Sequence, residues 1–197
     1  MSRVSPDTKQ AIIDAAAKLF EEHGYERVSM RNIAREVGCS ATTIYIYFEN
    51  KDALLAELIK QAYALFKHRI REGLRARDTD DRSNFRRACR AYIQFGLEYP
   101  KYYNLMFRDN AEKFIRVSAG DRDDDRYDAF EFLRRAVQEG IDRGIVKGTN
   151  ADLVSQSIWA SLHGLTSLLL AFPGFEWQSR EALIDFHIDA LQGGVLR

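Results

Sequence analysis

The residues best suited to chemistry in this chain lie between Ser29 and Lys51, and that chemistry is hydrogen bonding to a polyanion rather than bond making. Ser29 stands where a helix N-cap belongs, and Ile33, Ala34 and Val37 then share one face at helical spacing. Gly38 follows where a helix end needs positive φ, and Ser40 is placed to cap a second helix from Ala41. In that second helix Ile44 and Phe48 form an i,i+4 pair that can bury against the first, leaving Thr42, Thr43, Tyr45, Ile46 and Tyr47 to point elsewhere. Threonine hydroxyls and apolar groups near a helix N-terminus suit a major groove, where they meet base edges, phosphates and thymine methyls. Tyr45 and Tyr47 can offer hydroxyls to phosphate oxygens, and Asn50 and Lys51 open a further helix whose ammonium and free N–H groups favour a phosphate.

Something must position that surface. Upstream, Ile12, Ala15, Ala16, Leu19 and Phe20 form an apolar stripe, followed by His23, Gly24, Tyr25 and Val28, so a third helix and its terminus supply a floor. Taken alone, two such helices read more readily as core helices of an all-α domain with Tyr45 and Tyr47 as core aromatics. Three helices with a short turn make a self-contained helix-turn-helix headpiece.

The run AAAKLFEEHGYERVSMRNIAREVGCSATTIYIYFENKDALL resembles the N-terminal domain of the tetracycline-repressor-like (TetR) family of bacterial regulators. Leu19, Phe20, Gly24, Tyr25, Ile33, Ala34, Val37, Ser40, Thr43, Tyr45, Tyr47, Phe48, Lys51 and Leu54 hold the family's offsets; Cys39 departs from its frequent valine. The resemblance implies that Ser29 and Arg31 touch phosphate or groove edge, that Ala41, Thr42, Thr43 and Ile46 face bases, and that Tyr45, Tyr47 and Lys51 grip the DNA backbone.

Composition narrows the reading. The 197 residues are 46% hydrophobic and 29% charged, enough for a buried core and unlike a disordered chain. Formal net charge is zero, and the first 52 positions carry seven basic against eight acidic side chains. A few placed phosphate contacts and dimerisation, with a modest salt dependence, are therefore expected rather than a strongly basic surface. Cys39 and Cys89 lie far apart without metal-ligand spacing, so reduced structural thiols are expected. The first nine residues are polar and residues 158–172 are short and interrupted, which predicts no leader, no membrane span and a cytoplasmic location.

The remainder reads as helix throughout, giving an all-α fold of about nine helices with a DNA-binding domain over 1–50 and a helical effector-binding and dimerisation domain over 51–197. A long connecting helix is expected over 51–77 with Leu55, Leu58, Ile59, Ala62, Phe66, Ile70 and Leu74 inward, ended by the polar run 78–83. Further helices are expected over 84–98, after Pro100, over 123–143, 151–172 and 180–192. The acidic run 120–126 reads as a solvated loop before a helix rather than a cation site.

In the helix over 151–172, Ile158, Trp159, Leu162, Leu165, Leu168, Leu169, Leu170 and Phe172 leave scarcely a polar face. With the next helix it reads as half of a four-helix dimer seam formed by Leu162, Leu165, Leu169, Leu183, Phe186 and Ala190, and Gly164 suggests close helix approach. The family resemblance implies the same homodimer on a palindromic operator, and the string WASLHG resembles a subgroup with Trp, His and Gly on this helix. It also implies a small apolar or aromatic effector in this half, for which Phe66, Tyr103, Phe107, Trp159 and His163 are the candidate contacts. Ordinary packing is the competing reading of Trp159 and His163.

Enzymes are the rival class. The four histidines lack the i,i+4 pairing of metal helices, and there is no nucleophile-elbow or phosphate-loop pattern, so no catalytic residue, metal or cofactor is expected. The expected function is a ligand-responsive transcriptional repressor; the alternative is an interaction or ligand-sensing protein that kept the helix-turn-helix without binding DNA.

Overall fold

A computed structural model of the chain describes residues 6–74, 80–109 and 125–197. Among these residues there are nine α-helices and no strand; an isolated bridge joins Val146 to Leu196. The helices are α1 Pro6–His23, α2 Met30–Val37, α3 Ala41–Tyr47, α4 Lys51–Gly73, α5 Asp81–Glu98, α6 Pro100–Asn104, α7 Asp125–Asp142, α8 Ala151–Ala171 and α9 Arg180–Val195. A 3₁₀ turn at Tyr25–Arg27 follows α1, and α6 widens into a π turn at Leu105–Asp109. The expected end of the connecting helix at residues 75–77, the start of the polar run at 78–79 and most of the acidic run 120–126 lie outside the described residues.

The described residues fall into two compact units, one within Met1–Tyr63 and Lys101–Arg122, the other within Ala64–Pro100 and Asp123–Arg197. In the first unit Ile12, Ile13 and Ala16 of α1, Ile33 of α2, Ile44 of α3 and Leu54 and Leu58 of α4 are buried, so one core holds all four helices together. Side chains tie α4 to α1 as well: Lys9 pairs with Glu57 at 3.1 Å and Gln10 bonds Gln61 at 3.3 Å. The first half of α4 therefore packs with the headpiece, past the division expected at residue 50.

In the second unit α8 packs against α5 and α7, and α9 packs against α5 and α8. The α5–α9 contact is clamped by charge. Arg86 pairs with Asp185 at 2.6 Å and with Asp189, while Arg90 pairs with Glu181 at 3.0 Å and shares Asp185. Helix α5 starts earlier than the polar run suggested, because the Asp80 carboxylate accepts from the Arg82 and Ser83 N–H groups and so caps it. Helix α9 runs on through Gly193 and Gly194 to Val195.

The expected dimer seam needs correction on α8. Leu162, Leu165 and Leu169 are only 5%, 7% and 2% exposed, because this face of the helix forms the protomer's own core. Another stripe of the helix runs through Ala160, Gly164, Leu168 and Ala171, at i, i+4, i+8 and i+11, with Gly164 half-buried and the other three exposed. A Cβ placed on Gly164 would meet no atom within 4 Å, so the expected close approach does not occur within the protomer. On α9, Phe186 is 74% exposed, Ala190 is also exposed and Leu183 is half-buried.

Candidate nucleic-acid interface

Helix α2 begins with a reciprocal capping box: Ser29 Oγ accepts from the Asn32 N–H at 3.2 Å, and Asn32 Oδ1 accepts from the Ser29 N–H at 2.9 Å. It ends at Gly38, whose φ of 77° lies in the left-handed region open to glycine, and the Gly38 and Cys39 N–H groups both return to the Ala34 carbonyl. That turn delivers Ser40, whose Oγ accepts from the Thr43 N–H at 3.1 Å and starts α3. Lys18 of α1 pairs with Glu36 of α2 at 2.6 Å, a contact that raises the lysine pKa and lowers the glutamate's.

Helix α3 is sharply two-sided. Ile44 and Phe48 are buried, whereas Tyr45 and Ile46 are each 54% exposed. Thr42 and Arg31 are also exposed, while Ala41, Thr43 and Tyr47 are half-buried. The outward side thus carries a threonine hydroxyl, a phenol and a branched alkyl group, with no ionisable carboxylate on the helix itself. Beside it, a surface groove of about 490 Å³ is lined by Glu26, Arg27, Ser29, Tyr45, Asn50 and Lys51.

Lys51 is occupied inside the protein. Its Nζ donates to the carbonyl oxygens of Tyr25 at 2.8 Å and Val28 at 2.9 Å and lies 4.1 Å from the centre of the Tyr25 ring. Partial burial holds the ammonium pKa below the ordinary lysine value, against the raising effect of Asp52. Tyr25 is buried, packs on Phe20 and donates its hydroxyl to the Asp52 carboxylate; burial first, and then that bond, push the phenol pKa upward. In the sequence Tyr25 belongs to the headpiece floor, and its link to Lys51 and Asp52 appears only in the structure. Helical periodicity cannot show such a link, since the partners are separated by α2 and α3.

The candidate effector residues divide between the two units. Phe66 meets Tyr92 and Phe95 edge-on at 5.5 and 5.1 Å between ring centres, and the Trp159 indole N–H donates to the Tyr92 hydroxyl at 3.2 Å. His163 lies 6.4 Å from Trp159, and its Nε2 is 3.3 Å from Ser167 Oγ. Phe66, Trp159 and His163 therefore belong to one aromatic cluster organised around Tyr92. Tyr103 is fully buried in the other unit and packs on Phe107 at 4.9 Å, which in turn meets Tyr63. Among the described residues no group of three His, Cys, Asp or Glu side chains could hold a metal ion, and no helix is long and apolar enough to cross a membrane.

Two family patterns match this chain. Residues 12–58 match the family described as "Bacterial regulatory proteins, tetR family", and residues 85–191, more than half of the chain, match "Tetracyclin repressor-like, C-terminal domain". The chain belongs to the tetR family of bacterial regulators. The second pattern includes Trp159, His163 and Gly164 of the WASLHG string. Among its relatives, the fatty acid metabolism regulator protein of Bacillus subtilis is 37% identical over 68 residues, which are 34% of this chain and 35% of the relative. The chain thus spans about a third of the length of that curated relative. Solved structures match the fold over nearly the whole chain. The fatty acid degradation regulator FadR from Bacillus halodurans superimposes with a TM-score of 0.76 at 23% identity, covering 98% of each chain. The ketosteroid transcriptional regulator KstR2 of Mycobacterium tuberculosis gives 0.71 at 18% identity, covering 99% of this chain and 97% of that one.

Proposed function

We propose that this tetR-family member is a transcriptional regulator, acting as a repressor, that holds a palindromic operator as a homodimer and releases it when a small molecule binds its second half. The observation that carries the reading is the two-sidedness of α3, with Tyr45, Ile46 and Thr42 outward and Ile44 and Phe48 anchored in the headpiece core. On this reading Ala41, Thr42, Thr43 and Ile46 meet bases, while Ser29, Arg31, Tyr45 and Tyr47 meet the DNA backbone.

The homodimer would bury that stripe of α8, Ala160, Gly164 and Leu168, together with Phe186 and Ala190 of α9. Small residues on one helix allow close approach and Phe186 supplies a large apolar anchor. Two-fold symmetry then sets two copies of α3 on half-sites about one helical turn of DNA apart or slightly more. Fatty acids and ketosteroids figure in the names of related regulators, and the cluster of Phe66, Tyr92 and Trp159 is apolar with one phenol, so a lipid-like effector is the class we favour. Helix α4 contributes residues to both units and is the covalent route for a response. The chain would act in the cytoplasm, without catalysis of its own.

The near balance of acidic and basic residues in the headpiece favours a second reading, an interaction protein that keeps the fold without binding DNA. Selection from a random-sequence duplex library separates the two. The regulator enriches an inverted repeat; a folded dimer that enriches nothing over the starting pool supports the interaction protein.

A further inference from the structure

The segment 28–51 contains both helices of the helix-turn-helix, and its two ends are fastened to each other. Val28 immediately precedes the α2 N-cap and Lys51 is the first residue of α4. An ammonium has three N–H bonds. In Lys51 two of them are taken by the Tyr25 and Val28 carbonyls, and the third side of the group faces the Tyr25 ring. Asp52, the next residue, accepts the hydroxyl of the same tyrosine, so consecutive residues of α4 grip one buried ring at its face and at its edge. Two of the three Lys51 donors are thus committed to the protein's own backbone.

We propose that Lys51 is a positioning residue rather than a phosphate contact: with Asp52 it locks α4 onto Tyr25 and Val28, closing the base of the helix-turn-helix and holding α3 at the angle a duplex requires. This departs from the backbone-gripping role that the family resemblance implies for Lys51, and it rests on the operator-binding reading. The physical reason is loop closure. A segment pinned at both ends samples fewer orientations than one pinned at a single end, and reading bases depends on orientation more than neutralising phosphates does.

The test compares wild-type protein with Lys51→Met, Asp52→Asn and Tyr25→Phe, each titrated over a range of salt against a duplex selected by the wild type and against a random-sequence duplex. A lost phosphate contact lowers the salt slope by about 0.9 for each protomer and weakens both duplexes alike. A lost lock leaves the slope unchanged and lowers the ratio of selected to random binding, which a smaller folded fraction alone would not move. Lys51→Met is expected to lose roughly tenfold in that ratio at constant slope, two charge-assisted hydrogen bonds being removed. A reduced slope with an unaltered ratio, or wild-type binding in every respect, overturns the proposal. Should Lys51→Met fail to fold, Asp52→Asn decides. Removing an anion beside DNA would by charge alone tighten binding, whereas the lock requires a lower ratio; a ratio equal to or above wild type overturns it. If the wild type selects no duplex, the operator-binding reading falls and this proposal with it. A reduced slope in Lys51→Met with intact wild-type binding overturns this proposal alone.

Discussion

Ser40 Oγ and Thr43 Oγ1 lie 2.9 Å apart, while the same Ser40 oxygen accepts the Thr43 N–H at 3.1 Å. The residue that starts α3 thereby also orients one of its base-facing candidates. Ser40→Ala should cost about 1 kcal/mol of stability through the lost cap. It should also lower affinity for the selected duplex more than a Ser29→Ala change, since only Ser40 holds Thr43. Urea denaturation combined with anisotropy titration checks both halves, and equal binding by the two variants would contradict the coupling.

The two faces of α8 predict opposite phenotypes. Leu169 is buried inside the protomer, so Leu169→Ala should destabilise it by about 2–5 kcal/mol. Leu168→Glu and Phe186→Ser lie on the exposed faces and should change protomer stability by about 0.5 kcal/mol or less while dissociating the dimer. Sedimentation velocity with chemical denaturation distinguishes these outcomes; a dimer unaffected by both exposed changes would exclude this seam.

Local signals made the headpiece legible in the sequence. Ser29, Gly38 and Ser40 mark helix ends through their own backbone chemistry, and Ile44 with Phe48 marks the buried face. Which side of α8 the protomer itself buries is not legible, because an almost wholly apolar helix gives periodicity nothing to discriminate. Leu165 and Leu168 look alike until α5 and α7 are known to cover one of them. The start of α5 is not legible because Asp80 reads as loop until its carboxylate is seen to cap. The lock of Lys51 on Tyr25 was hidden because nothing short-range pairs residues on opposite sides of the motif.

The clamp between α5 and α9 should be acid-sensitive. Its Asp185 carboxyl is held below the ordinary value of 3.8, first by the hydrogen bond from Arg90 and then by the further charge of Arg90 and Arg86, against a raising effect of burial. A carboxyl depressed in the folded state stabilises it fully above the unfolded pKa, and the benefit is lost as pH falls through the depressed value. The stability gap between wild type and Asp185→Asn should therefore be widest near neutral pH and shrink below about pH 4. Urea midpoints measured down the pH series check this, and a gap that widens in acid would contradict it.

The two thiols should differ in reactivity. Cys89 is buried, which pushes its pKa up to about 12, whereas Cys39 is half-buried in the turn before α3. At about pH 8 the native protein should be alkylated at Cys39 long before Cys89, since the thiolate is the reacting form. Peptide mapping of iodoacetamide-treated protein reads the order, and labelling of Cys89 at the rate of Cys39 would show the second unit to be open.

The central claim is that the outward side of α3 reads duplex DNA, and the most direct measurement is the affinity of Tyr45→Ala and Ile46→Ala for a panel of single-base variants of the selected duplex. Tyr45→Ala should weaken the whole panel about equally, and Ile46→Ala should flatten the preference at one or two positions of each half-site by about 1–3 kcal/mol. Wild-type affinity and base preference in both variants, with the fold intact, would contradict the account.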